Sequence, residues 1–166
     1  MSYDGAGRKL KEELWAGGAR ETVTQHSYDA AGRLECTAVR MNRAAFGSLP
    51  ASACTLGAPG GDGPDRITRY AYDPAGQLTT EQRAYGVTTA NGFPSTLQQD
   101  YARFEYTPNG RRKAVIDANG NCAELSWDAY DRQKRWIFPT KSLPPAPPTR
   151  PITRNMATIP TATGRA

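Results

Sequence analysis

The chain of 166 residues has one histidine, three cysteines and no long apolar run, and each shortage removes a class of function. His26, two positions before Tyr28, has no serine or cysteine motif to accompany it, so a nucleophile–histidine relay has no visible components. It reads as a strand residue. Cys36, Cys54 and Cys122 are odd in number and widely spaced, without the paired spacing of a zinc site, and are expected to be isolated thiols. No segment approaches membrane-spanning length, and no secretory leader pattern opens the sequence. Adjacent Glu12 and Glu13 point different ways on a helix or a strand, so they form no acid/base pair. Helical periodicity is nearly absent; only Arg8 to Leu14 has the pattern for a turn or two.

The hydrophobic share, 38%, is low, whereas 16 glycines and 13 prolines are many for this length. That balance suits an open sheet with loops better than a compact core.

What the sequence does have is a motif written five times. The copies are Tyr3-Asp4-Gly5-Ala6-Gly7-Arg8, Tyr28-Asp29-Ala30-Ala31-Gly32-Arg33, Tyr72-Asp73-Pro74-Ala75-Gly76-Gln77, Tyr106-Thr107-Pro108-Asn109-Gly110-Arg111 and Trp127-Asp128-Ala129-Tyr130-Asp131-Arg132. Each reads as a β-hairpin tip. Aspartate suits the first position of a type I turn, Pro74 and Pro108 supply the fixed φ of the second, and a glycine at positive φ closes the loop. Across such a hairpin Tyr28 is expected to face Arg33, guanidinium over ring. A unit repeated along a chain implies stacked hairpins, hence a scaffold and not a catalyst, with no cofactor or metal.

The flanks agree, because Phe104 and Tyr106 alternate with Arg103 and Glu105 as a half-buried strand requires. Strands are predicted at 21–28, 33–39, 66–72, 77–85, 101–106, 111–116, 121–127 and 132–138, the last four as a meander with an extra turn at Asp117-Ala118-Asn119-Gly120. The repeat array spans 1–138, interrupted by loop insertions at 42–65 and 87–95 that are rich in glycine and proline. The fold class is all-β: antiparallel hairpin repeats in a meandering strip.

These motifs resemble the tyrosine–aspartate (YD) or Rhs repeat family, found in bacterial Rhs and wall-associated polymorphic toxins, insecticidal toxin complexes and animal teneurins. Gln77 departs from the family arginine, Thr107 from its aspartate, and Tyr130-Asp131 from its glycine. The resemblance implies a β-strip that spirals into a shell around a toxic C-terminal domain or stands outside the cell, in secreted or cell-surface parents. The segment Asp73-Pro74-Ala75-Gly76-Gln77-Leu78 superficially resembles the aspartate–proline motif near the self-cleaving end of Rhs shells. Gln77 intervenes between glycine and leucine, however, and the downstream pattern is missing, so the turn reading is preferred. The expected partners are neighbouring repeats of a larger protein, or further copies meeting at open sheet edges.

The net charge of +5 is concentrated late, and Arg111, Arg112 and Trp136 offer an alternative reading as a basic aromatic face for carbohydrate. Specific nucleic-acid binding is disfavoured, because arginine and lysine commonly occupy the solvated face of a strand. Residues 139–166 turn abruptly rich in proline and threonine, which predicts a disordered tail. Regrouping their codons by one base permits Asp-Tyr-Glu-Glu-Tyr-Gly-Tyr-Asp-Pro-Asn-Gly-Asn-Arg, a further repeat in the neighbouring frame. With a start inside the first motif, this suggests a truncated fragment of a repeat protein.

Overall fold

The computed structural model describes residues 1–138. The expectations for the tail and its neighbouring-frame repeat lie outside the described residues. Ten strands form one antiparallel sheet in strict sequence order: β1 (Ser2–Tyr3), β2 (Lys9–Ala16), β3 (Ala19–Tyr28), β4 (Leu34–Arg40), β5 (Arg66–Tyr72), β6 (Leu78–Arg83), β7 (Gln99–Tyr106), β8 (Arg112–Asp117), β9 (Cys122–Trp127) and β10 (Gln133–Ile137). The sheet is open, and no α-helix occurs among the described residues.

The segment from Arg8 to Leu14, expected to hold a helical turn, lies instead almost wholly in β2, which pairs with β3 from Lys11↔Gln25 to Ala16↔Ala19. The reason is the Gly17-Gly18 pair, both at positive φ (56° and 78°), as a two-residue type I′ hairpin loop requires. A strong turn signal overrides a weak helical one.

Connections alternate between the two ends of the sheet. All five repeat turns join an odd-numbered strand to the next even one and so gather at one end. At the other end lie the Gly17-Gly18 turn, the Asp117–Gly120 turn and both insertions, which run from 41 to 65 and from 84 to 98.

The first insertion folds back over one face of β3, β4 and β5. Paired residues share a face, so Gln25 with Ala38, Ser27 with Cys36, and Ala38 with Ile67 make one surface. On it sit Ala53, Cys54 and Leu56, forming a small core with Cys36, Ala38 and Ile67, to which Tyr85 of the second insertion is added. A buried polar pin completes the attachment. Arg40 Nη1 donates to Asp65 Oδ2 at 2.6 Å and to the Thr55 carbonyl at 2.8 Å, and Nη2 donates to Gln25 Oε1 and the Ser52 carbonyl. Asp65 also accepts the backbone N–H groups of Met41 and Gly57. Neither charge is left unpaired, which such burial demands.

Cys36 and Cys54, expected to be separate thiols, are joined in a disulfide with Cα atoms 5.3 Å apart, and only Cys122 is free. The insertion's return path brings them together, which linear spacing does not reveal. Closing a loop between residues 18 apart is worth about 3 kcal/mol. Replacing both cysteines by alanine should therefore lower the urea-unfolding free energy by about that amount. Because the Arg40–Asp65 pin persists, the far-UV spectrum of the folded protein should not change.

Candidate functional site: an arginine–aromatic ladder

The repeat turns are built by their aspartates. Asp4 Oδ1 accepts the backbone N–H groups of Ala6 and Arg8, both at 2.9 Å, while Oδ2 accepts Arg8 Nε at 2.6 Å. Asp29 does the same for Ala31 and Arg33, and Asp128 for Tyr130 and Arg132. In the third copy Asp73 holds the Gln77 N–H at 2.8 Å. Backbone donation from the arginine in each turn holds the carboxyls of Asp4, Asp29 and Asp128 below the usual range, assisted by its side-chain ion pair. The turn glycine donates to the aspartate carbonyl at 2.9–3.0 Å, as Gly7, Gly32 and Gly76 all show.

The arginines then leave their own hairpins. Tyr28 pairs with Leu34 and not with Arg33, because a bulge shifts the register beside the turn. The expected Tyr28–Arg33 stack is thereby corrected: Arg8 lies over Tyr28 and Arg33 over Tyr72, each with its guanidinium carbon 4.6 Å from the ring centroid. Arg33 Nη1 also donates to the Asp73 carbonyl at 3.2 Å.

The aromatic residue answers in the other direction, to the residue just after the preceding copy's turn. Tyr28 donates its hydroxyl to the Lys9 carbonyl at 2.9 Å, Tyr72 to Leu34 at 2.8 Å and Tyr106 to Leu78 at 2.8 Å, and Trp127 Nε1 donates to Arg112 at 2.9 Å. Burial raises the Tyr72 hydroxyl pKa, which keeps the proton it donates. The turn glycines also give room: a Cβ at Gly32 would lie 3.1 Å from Arg8 Nη1, and one at Gly110 would lie 2.9 Å from Gln77 Nε2. Four consecutive joints therefore follow one rule, with Gln77 making the single joint that has no cation.

The two drifted copies compensate each other. Thr107 accepts the Arg111 N–H at 3.0 Å but supplies no carboxylate, and Pro108 keeps the second turn position. Arg111 finds its anion in the next copy, 3.3 Å from Asp131 Oδ2, and its guanidinium carbon lies 5.8 Å from the Trp127 centroid. Asp131 itself stands where other copies have glycine, at φ 59°, and accepts Asn109 Nδ2 at 2.9 Å. Aspartate tolerates that left-handed backbone better than most residues.

The remaining candidates are separately occupied. Arg112 lies 4.6 Å over Phe104, and Trp136 stacks on Phe138 at 5.8 Å. Lys9 pairs with Glu12 and Lys11 with Glu13, so each carboxylate has its own cation. His26 Nδ1 lies 3.3 Å from Thr37 Oγ1, while Nε2 is buried without a partner. Burial and then Lys9 depress its pKa. No cluster of metal-ligand type occurs among the described residues.

No protein-family profile matches the chain, and no curated protein matches it. Among solved structures, the crystal structure of TcdB2-TccC3-Cdc42 is a weak neighbour at a TM-score of 0.36 and 16% identity, covering 80% of this chain. The chain spans about 6% of the length of that one.

Completing the ladder should be stabilising: Gln77→Arg, able to reach Tyr106 and Asp73 together, should raise the unfolding free energy by about 0.5–1.5 kcal/mol. Tyr72→Phe should lower it by about 0.5–1.5 kcal/mol, the worth of one hydrogen bond. Equilibrium urea unfolding of both variants measures this.

Falling pH should weaken the fold in two stages. His26 has a depressed folded pKa, so its contribution is complete above its ordinary value of about 6.5 and is lost below it. The depressed turn aspartates contribute fully above about pH 4 and lose that contribution as pH falls through their lower folded values. Urea midpoints between pH 8 and 3 should show both stages, the first removed by His26→Gln and the second reduced by Asp29→Asn.

Proposed function

We propose that this chain is a non-enzymatic wall segment, a strip of β-hairpin repeats belonging to a larger secreted or cell-surface protein of the Rhs/YD type. The ladder supports this reading. Its repeated chemistry is spent between one repeat and the next: Tyr28, Tyr72, Tyr106 and Trp127 each donate to the residue after the preceding turn, and Arg8 and Arg33 each cover the ring of the next copy. A set of groups so occupied has nothing to offer a substrate. The carbohydrate reading has less behind it, because Arg111 is held by Asp131 and Trp127, and Arg112 covers Phe104.

A wall segment should also be poorly self-sufficient. Among the described residues β1 and β10 are each paired on one side only, and exposed strand edges attract further strands. The isolated chain should melt broadly, at a temperature that depends on protein concentration, as a mixture of sizes. A sharp, reversible and concentration-independent melt of a monodisperse monomer would point instead to an independent module.

A further inference from the structure

A cleft of about 820 Å³ lies between the two insertions, lined by groups that the ladder does not use. Leu56 and Pro59 come from the first insertion, Tyr85 and Phe93 from the second, and Arg69 of β5 and Gln82 of β6, paired across their strands, from the sheet beneath. The volume falls in the range usual for small-ligand sites, about 300–1,000 Å³.

The walls are held in place by the fold itself. Cys54, which lines the cleft, is tied to β4 through its disulfide with Cys36. In the second insertion the Gly86 N–H donates to Gln98 Oε1 at 2.9 Å, and the Gly86 carbonyl accepts Asn91 Nδ2 at 2.7 Å. The insertions touch at this glycine, where a Cβ would lie 3.0 Å from Leu56 Cδ1.

Those bonds decide what remains for a ligand. Asn91 and Gln98 each spend one end of an amide on Gly86, which leaves Asn91 Oδ1 as an acceptor and Gln98 Nε2 as a donor, neither hydrogen-bonded among the described residues. Gln82 is anchored through Nε2 to Asp100 Oδ1 at 2.8 Å, leaving Oε1 as a second acceptor. Arg69 is the one charged residue lining the cleft. Its Nη1 donates to the Tyr85 hydroxyl at 3.2 Å, and its guanidinium carbon lies 4.9 Å from that ring's centroid. Its Nη2 stands 3.7 Å from Glu35 Oε1, beyond hydrogen-bond length. The guanidinium is therefore positioned while still having donors to offer, and a planar fork of this kind matches a carboxylate. Strands β5 and β6 are paired on both sides, so a ligand here is gripped by side chains and is not added as a strand.

We propose that this cleft binds an N-acylated amino acid with an apolar side chain. Its carboxylate sits on Arg69, its amide N–H and carbonyl meet Gln82, Asn91 and Gln98, and its side chain lies against Leu56, Pro59 and Phe93. The ligand is the C-terminal residue of a peptide or a free acyl amino acid, which present the same groups. The site adds a binding role to the wall and does not depend on the wall reading.

Saturation-transfer NMR on the full chain tests this with four probes: acetyl-Gly-Gly-Leu with a free carboxylate, the same peptide ending in a carboxamide, N-acetyl-leucine and galacturonate. The free carboxylate should bind roughly tenfold more tightly than the carboxamide, and Arg69→Gln should erase that difference. Glu35→Gln, which removes a competing anion, should tighten carboxylate binding about twofold. N-acetyl-leucine binding as well as the peptide would sustain the site and identify a single acyl amino acid as its ligand; tighter binding of the peptide would sustain it and identify a peptide C-terminus. Carboxamide and carboxylate binding equally overturns the proposal, and that comparison needs only wild type, so it stands even if Arg69→Gln misfolds. Saturation transfer to galacturonate alone, or to no probe up to about 10 mM, overturns it as well and leaves the wall reading untouched.

Discussion

The repeat end of this sheet turns on one forked interaction, made in full by Arg8 and Arg33: an arginine shared between the carboxylate of its own turn and the ring of the next. A guanidinium suits this double duty because its edge carries donors while its face is flat enough to lie on an aromatic ring. A two-stranded hairpin alone is marginal in water, so repeats must borrow order from their neighbours. Arg8 and Arg33 supply that connection from one side, and the hydroxyls of Tyr28 and Tyr72 return it from the other. Where Gln77 breaks the pattern, the Tyr106 hydroxyl still reaches Leu78, so the connection thins without failing.

The opposite end of the sheet uses different physics. There the chain departs for long excursions, and a buried ion pair with a disulfide brings the first of them home. Burying Arg40 and Asp65 is costly in desolvation, and such pairs often add little net stability. What this one does is place the loop: its donors reach Thr55, Ser52 and Gln25, and its acceptor takes the N–H groups of Met41 and Gly57. One end is therefore uniform and the other individual.

The legible features were the local ones. Tyr-Asp-x-x-Gly is a turn because its atoms bond to each other within five residues, and alternation marks a strand because each pleat sees its own two faces. Both could be read along the line, and the eight strands from β3 to β10 followed within a few residues, whereas β1 and β2 did not and the second excursion begins and ends three residues outside the expected 87–95. The ladder could not, since Arg33 belongs with Tyr72 only once β4 and β5 are neighbours, and the intervening insertion hides that adjacency. The same holds for Cys36 with Cys54, and for Arg111 with Asp131, where a lost carboxylate reappears in the next turn. The helical expectation for Arg8 to Leu14 failed on a local signal undervalued, the paired glycines at 17 and 18.

Strict sequence order has a consequence for how the molecule comes into being. Because every strand pairs only with those immediately before and after it, no strand in the sheet waits on a partner beyond its neighbour in the sequence, although β4 and β5 must meet across the first insertion and β6 and β7 across the second. Sheets built this way can nucleate locally and propagate from one hairpin to the next. As a ribosome extends the chain, each completed hairpin already has its template beside it, so the sheet can lengthen vectorially at the pace of synthesis.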